Sequence, residues 1–289
     1  MPPYSTRQLL LRVAPVSALA MMFLVAGSCE DDPAQPQVGT GTFRIVLDQT
    51  VDGEPLVQGT GSYTTAEGND YSVNKLLYVL SLMEVASEDA HGRRRHVEGP
   101  EVHLRDAFNP DSRVVEIEGA PEGDYTGLSF VFGLNEEMND PSNTYTQPGL
   151  DKEWTDMGWN PLWGGGYHYM KLEGRVIPEV EPRGATAGDG PLATHLGRFL
   201  DDTKTAFPHF FPVDLEFEQP VSLGDGDVYE IQVVMDIDKW YQMPNLIDLD
   251  VDSLTFAIMT RTEVQDMYEA NGSDATGGVF SLGTVAEVD

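Results

Sequence analysis

An antiparallel β-sandwich of immunoglobulin-like or Greek-key type, with long loops and a short C-terminal helix, is the all-β fold class this sequence predicts. Three observations point to it. Short segments rich in β-branched and aromatic residues recur along most of the chain. Gly, Pro, Asp or Asn punctuate them. No long helical periodicity intervenes, so sheet packed on sheet is the remaining way to build a core.

Taken in order, Phe43, Ile45 and Leu47 alternate with Arg44 and Val46, the period-two pattern of a half-buried strand over 42–48. Further strands are expected over 71–85, 114–117, 125–132, 167–173, 213–217 and 228–237, with a short one where Val102 and Leu104 flank His103. Residues 176–191 are acidic and rich in Pro and Gly, so they read as a loop. Val264, Met267 and Tyr268 fall at i, i+3 and i+4, which predicts a helix over 262–270 stopped by Asn271-Gly272. His91 and His96 flank a basic hairpin tip, and His209 lies in the apolar turn Phe207–Pro212; with His103, these read as structural.

The N-terminal end addresses the chain. Arg7 and Arg12 precede the apolar run Val13–Ala26, shorter than the roughly 20 residues a spanning helix needs. Residues 1–28 therefore read as a signal peptide. Small residues lead into Cys29, the one cysteine, which has no partner for an internal disulfide and fits a lipobox. Cys29 would be the lipidated first residue, residues 29–41 an acidic Pro/Gly tether, and 42–289 a single domain. That arrangement predicts a protein of the cell envelope, on the periplasmic or outer face of a bacterial membrane, touching the membrane through its lipid alone.

Charge narrows the partners. The net charge is −31, and it becomes −33 on loss of residues 1–28, because two arginines and no acids go with them. Such a field repels nucleic acid and anionic headgroups and draws cations, so DNA or RNA binding is excluded.

Chemistry concentrates in 157–174, which holds Trp159, Trp163, the run Gly164-Gly165-Gly166, His168, Met157 and Met170. Imidazole and thioether suit copper, above all cuprous copper. If 167–173 is a strand, His168, Met170 and Leu172 share one face, and His168 with Met170 can address one ion. An aromatic plug over a sheet, with His168 as a cross-strand partner, is the plainer alternative. His195 follows a loop and precedes Gly197, a setting that presents an imidazole to an ion or ties down a turn. Asp248, Asp250 and Asp252 lack the rest of an EF-hand, since Ser253 and Met259 stand where Gly and a carboxylate are needed. There is no Gly-x-Ser-x-Gly elbow, no His-Glu-x-x-His and no thiol beyond Cys29, so a non-enzyme is expected.

These landmarks resemble the MbnP-like family of bacterial periplasmic proteins and lipoproteins. The carriers are Met157-x-Trp159, Trp163-x-x-Gly166-Tyr167 and Leu172-Glu173-Gly174, together with the Tyr71–Ser81 segment. Pro121-x-Gly123-Asp124-Tyr125, Phe132-Gly133-Leu134-Asn135 and His195-Leu196-Gly197 complete the set. The resemblance implies copper binding outside the cytoplasm, by histidines and a tryptophan oxidised to kynurenine by a di-haem peroxidase-like partner. Three residues separate Trp159 from Trp163, against one in the family pattern, and Arg198-Phe199-Leu200 stand where some relatives carry a cysteine. The expectation is a lipid-anchored protein that captures or buffers Cu(I) through His168, His195, Trp163 and Met170, with Trp163 or Trp159 as the oxidised residue. The rival is an envelope interaction module whose Trp/Gly/Tyr segment contacts protein or glycan.

Overall fold

The structure, a computed structural model, describes residues 38–59, 63–88, 94–139, 156–159, 165–177, 192–200, 206–249, 258–274 and 277–288. Its strands are β1 (Thr40–Val51), β2 (Glu54–Pro55), β3 (Tyr63–Thr64), β4 (Asp70–Glu88), β5 (Arg94–Glu98), β6 (Val102–Asp106), β7 (Val114–Pro121) and β8 (Gly123–Phe132). They continue as β9 (His168–Ile177), β10 (Leu192–Gly197), β11 (Phe199–Leu200), β12 (Ala206–Phe207), β13 (Phe211–Leu223) and β14 (Val228–Asp236), then helix α1 (Thr262–Ser273) and β15 (Phe280–Val288).

The strands form two sheets and a small ribbon, an all-β, sandwich-like arrangement. One sheet runs β15-β14-β1-β2, with β7 also on β1. The other runs β10-β9-β4-β8-β13, with β3, β5 and β6 paired to β4; β11 and β12 make the ribbon. β4 organises the second sheet, carrying β9 along 70–78 and β8 along 80–87. The expectation of purely antiparallel pairing needs one correction: β1 and β14 run parallel, Phe43 opposite Tyr229 and Ile45 opposite Ile231. Parallel neighbours need a long crossover, and here the whole second sheet intervenes between them in sequence.

The alternation read in β1 holds, with Phe43, Ile45 and Leu47 buried. Rings stitch the core: Phe43 meets Tyr125 edge-on at 4.8 Å, Phe130 meets Phe280 at 5.2 Å, and Phe132 lies 4.9 Å from Phe211 and 5.3 Å from Trp240. Such offset and edge-on pairs contribute beyond their area. The Tyr71 hydroxyl, which burial would otherwise leave unpaired, donates to Asp238 Oδ1 at 2.6 Å.

Several elements depart from expectation. His195 lies within strand β10, not in a turn. β15 escaped the sequence reading altogether. β9 runs on to Ile177, and the rest of the expected 176–191 loop lies outside the described residues. α1 passes through Asn271-Gly272 to Ser273 because both are packing residues there. Asn271 Nδ2 donates to the Trp240 and Asn245 carbonyls at 2.8 Å each, and a Cβ on Gly272 would stand 2.6 Å from the Trp240 ring. Of the other histidines, His96 pairs with Glu84 at 2.8 Å and His103 Nε2 meets the Ser112 carbonyl at 2.8 Å. His91, Cys29 and the proposed signal and tether residues through 37 lie outside the described residues, as do Asp250 and Asp252. Val38–Asp289 forms one compact unit. Among the described residues no helix is long and apolar enough to cross a membrane, which says nothing of β-strands.

β9 approaches β4 closely at Gly174, where a Cβ would sit 1.8 Å from the Ser72 carbonyl oxygen. A backbone atom cannot swing aside, so Gly174→Ala must shift the strands. The expected cost is about 1–3 kcal/mol, in the range for forced overpacking, read as a lower urea midpoint at unchanged slope.

Candidate metal centre

The centre is built on the β9–β10 pair. Lys171 stands opposite His195, Met170 opposite Leu196, and His168 opposite Gly197. Tyr169 is therefore an extra residue in β9, a β-bulge. The bulge changes which side chains share a face. Tyr169 and Met170 both enter the core, while His168 moves to the face of Lys171 and Glu173, beside His195. The expected pairing of His168 with Met170 is thus corrected: strict alternation fails at the inserted residue, and Met170, 0 % exposed, belongs to the apolar core.

His168 and His195 are each 6 % exposed. Their rings are perpendicular with centroids 5.0 Å apart. His168 Nδ1 lies 3.1 Å from the Met157 carbonyl oxygen; a carbonyl only accepts, so Nδ1 carries the proton and Nε2 a lone pair. His195 Nε2 lies 3.0 Å from Glu173 Oε1, which fixes its proton there and leaves Nδ1 as the lone-pair atom. Those two remaining nitrogens, His168 Nε2 and His195 Nδ1, are buried and have no hydrogen-bond partner among the described residues. Buried polar atoms are nearly always paired, so two orphans on adjacent strands call for a hydrogen-bond donor or an electrophile.

A metal–imidazole bond of about 2.0 Å puts each ring centre about 3 Å from the ion. Ring centres 5.0 Å apart are compatible with one shared ion. The donor set, two imidazole nitrogens, suits a soft or borderline ion of low coordination number.

Electrostatics keep the His168 imidazole in the binding form. Burial, then the neighbouring His195, pull the His168 pKa down to about 3. The hydrogen bond from His195, helped by Lys171, lowers Glu173 to about 2 against the opposing effect of burial. Glu173 is further held by Lys171 at 3.3 Å and Lys75 at 4.0 Å, and Lys75 also grips Asp156 at 2.7 Å. A carboxylate behind a histidine in this way orients the ring and raises its basicity towards a metal.

Trp159, 3 % exposed, lies edge-on to His168 with centroids 4.6 Å apart. Gly197 admits it: a Cβ there would fall 2.7 Å from the indole. The Trp159 amide donates to the Gly166 carbonyl at 2.8 Å, closing the glycine-rich loop. Gly166, at φ +84°, could not carry a side chain, since its Cβ would meet Asn139 Oδ1. Trp163 lies outside the described residues. Met157 is buried in the core and meets His168 through its carbonyl. Sequence reasoning gave Glu173 no role, although it stands two residues from Lys171 on the same face of β9, within diagonal reach of a residue opposite Lys171.

The family model for MbnP matches residues 40–260. The chain belongs to the MbnP family. Residues 168 and 195, with Trp159 and Glu173, all fall inside the matched span of this MbnP-family chain. Among solved structures, it is similar to MbnP from Methylosinus trichosporium at 18 % identity and a TM-score of 0.48, over 74 % of this chain and 81 % of that one. No curated protein matches the chain.

The lowered His168 pKa fixes a pH dependence. Between about 3 and the unfolded value near 6.5, the unfolded chain binds a proton that the folded chain refuses, so stability rises with pH across that window and is lost as pH falls. Asp238, raised to about 6 chiefly by burial, acts in the opposite sense, so the informative quantity is the difference between the chain and His168→Gln. From pH 6 to 5 the unmodified chain should lose about 1 kcal/mol more than the variant, measured by urea unfolding at each pH.

Proposed function

We propose that this MbnP-family protein captures or buffers cuprous copper outside the cytoplasm, holding it between His168 Nε2 and His195 Nδ1. The observation that carries this reading is the pair of buried, unpartnered imidazole nitrogens whose rings lie 5.0 Å apart on neighbouring strands. Their protons are committed elsewhere, to the Met157 carbonyl and to Glu173, so the lone pairs are ready without a proton having to leave first. The activity is binding and not turnover.

The signal peptide and Cys29 support a lipid-anchored location in the cell envelope, and a net charge of −31 favours arrival of cations over anions. Oxidation of a tryptophan to kynurenine by a di-haem partner is the further step that the family resemblance implies, and the burial of Trp159 argues against it at that position, since electrons must leave to the partner. Trp159 stands against His168, and Trp163 belongs to the same glycine-rich segment; peptide mass mapping of the native protein at both positions tests that step. The interaction-module alternative needs the tryptophan face outside, whereas Trp159 is buried.

Under anaerobic reducing conditions, competition titration of the full chain should show one tightly held cuprous ion, lost in His168→Ala/His195→Ala. Glu173→Gln should weaken it by about 10–100-fold, the usual effect of removing a histidine's carboxylate partner. Tight binding that survives loss of both histidines would contradict the assignment.

A further inference from the structure

A second group of metal-type donors lies away from this centre, on residues that sequence reading left as structural. His209 follows β12 in the left-handed region at φ +51° and is 2 % exposed. Its ring lies over Phe207, centroids 6.5 Å apart and planes 19° apart. Asp266 and Glu269 stand three residues apart on α1, hence on one face. His209 Nδ1 is 3.5 Å from Asp266 Oδ1 and 3.1 Å from Glu269 Oε2, and the three donor atoms lie within 4.8 Å of one another.

Protons alone serve this cluster poorly. A neutral ring has one N–H for two carboxylates. A divalent cation at Nδ1 meets both carboxylates at once, the ring proton passing to the buried Nε2. Bonds of about 2.0–2.2 Å in tetrahedral geometry put such donors about 3.4 Å apart, and the spacings of 3.1 and 3.5 Å bracket that value. Asp266 is open to solvent and Glu269 partly so, which gives an ion a way in and lets water complete its shell.

We propose that His209, Asp266 and Glu269 form a second cation site, for a divalent ion of zinc type, independent of the two-histidine centre. One imidazole with two carboxylates is a harder donor set than two imidazoles and selects a different ion. Asp266 and Glu269 lie beyond residue 260, where the family match ends, while His209 lies inside it. An ion here joins the segment before β13 to a helix about sixty residues later, and so stabilises the fold in proportion to its occupancy.

Zinc is the probe. The full chain is titrated with zinc against a competing chelator, in excess magnesium to suppress loose carboxylate binding, and melted with and without the ion. One zinc per chain is expected, with a higher melting midpoint, and both are expected to persist in His168→Gln/His195→Gln. Both are expected to vanish in Asp266→Asn/Glu269→Gln, whose changes lie at the surface and leave cooperative unfolding intact, and in His209→Gln. No zinc binding by the unmodified chain would overturn the proposal. So would binding unchanged by Asp266→Asn/Glu269→Gln, or binding lost with His168 and His195 instead.

Discussion

One inserted residue, the bulge at Tyr169, is the constraint on which the centre depends. Without it, strict alternation would send His168 into the core beside Met170 and Leu172. With it, His168 turns to the face of Lys171 and Glu173 and meets His195 across the strand pair. The bulge is anchored from inside. The Tyr169 ring rests on Gly133, where a Cβ would approach to 2.7 Å, and its hydroxyl accepts from Asn139 Nδ2 at 3.0 Å. Asn139 Oδ1 in turn accepts the Tyr167 amide at 2.8 Å. A core tyrosine, a glycine and an asparagine thus fix where an imidazole points.

The surroundings complete what the bulge begins. Each histidine spends one nitrogen on an oxygen acceptor and keeps the other for a ligand, the acceptors being the Met157 carbonyl and Glu173 of β9. Burial removes water as a competitor for the free lone pairs and disfavours protonating His168. Gly197 serves both strands: it pairs with His168 at the bulge, leaves room for Trp159, and its amide donates to Gln265 Oε1 at 3.1 Å, tying β10 to α1. The centre is therefore set by the sheet and held from behind by the C-terminal helix.

Much of this was legible in the sequence, and the remainder was hidden for identifiable reasons. The alternation of Phe43, Ile45 and Leu47 is local, so β1 could be read directly; the donors of 157–174 were conspicuous by composition. His195 was singled out, but Leu192–Gly197 is six residues long with a glycine end, and only pairing with β9 makes it a strand. A bulge leaves no mark in alternation until the partner register is known, so Met170 was placed with His168. Glu173 gains its role across a strand pair, and the parallel neighbours β1 and β14 lie too far apart in sequence for local patterns to join them. His209 read as a turn residue because its carboxylate partners come from a helix about sixty residues away.

The central claim is that two imidazole nitrogens, and no sulfur, face the ion. X-ray absorption at the copper edge of the copper-loaded chain addresses it directly. A near shell of nitrogen at about 2.0 Å without sulfur is expected, since Met170 and Met157 both lie in the apolar core. A sulfur shell at about 2.3 Å would contradict the account, because it would require a thioether on the imidazole face.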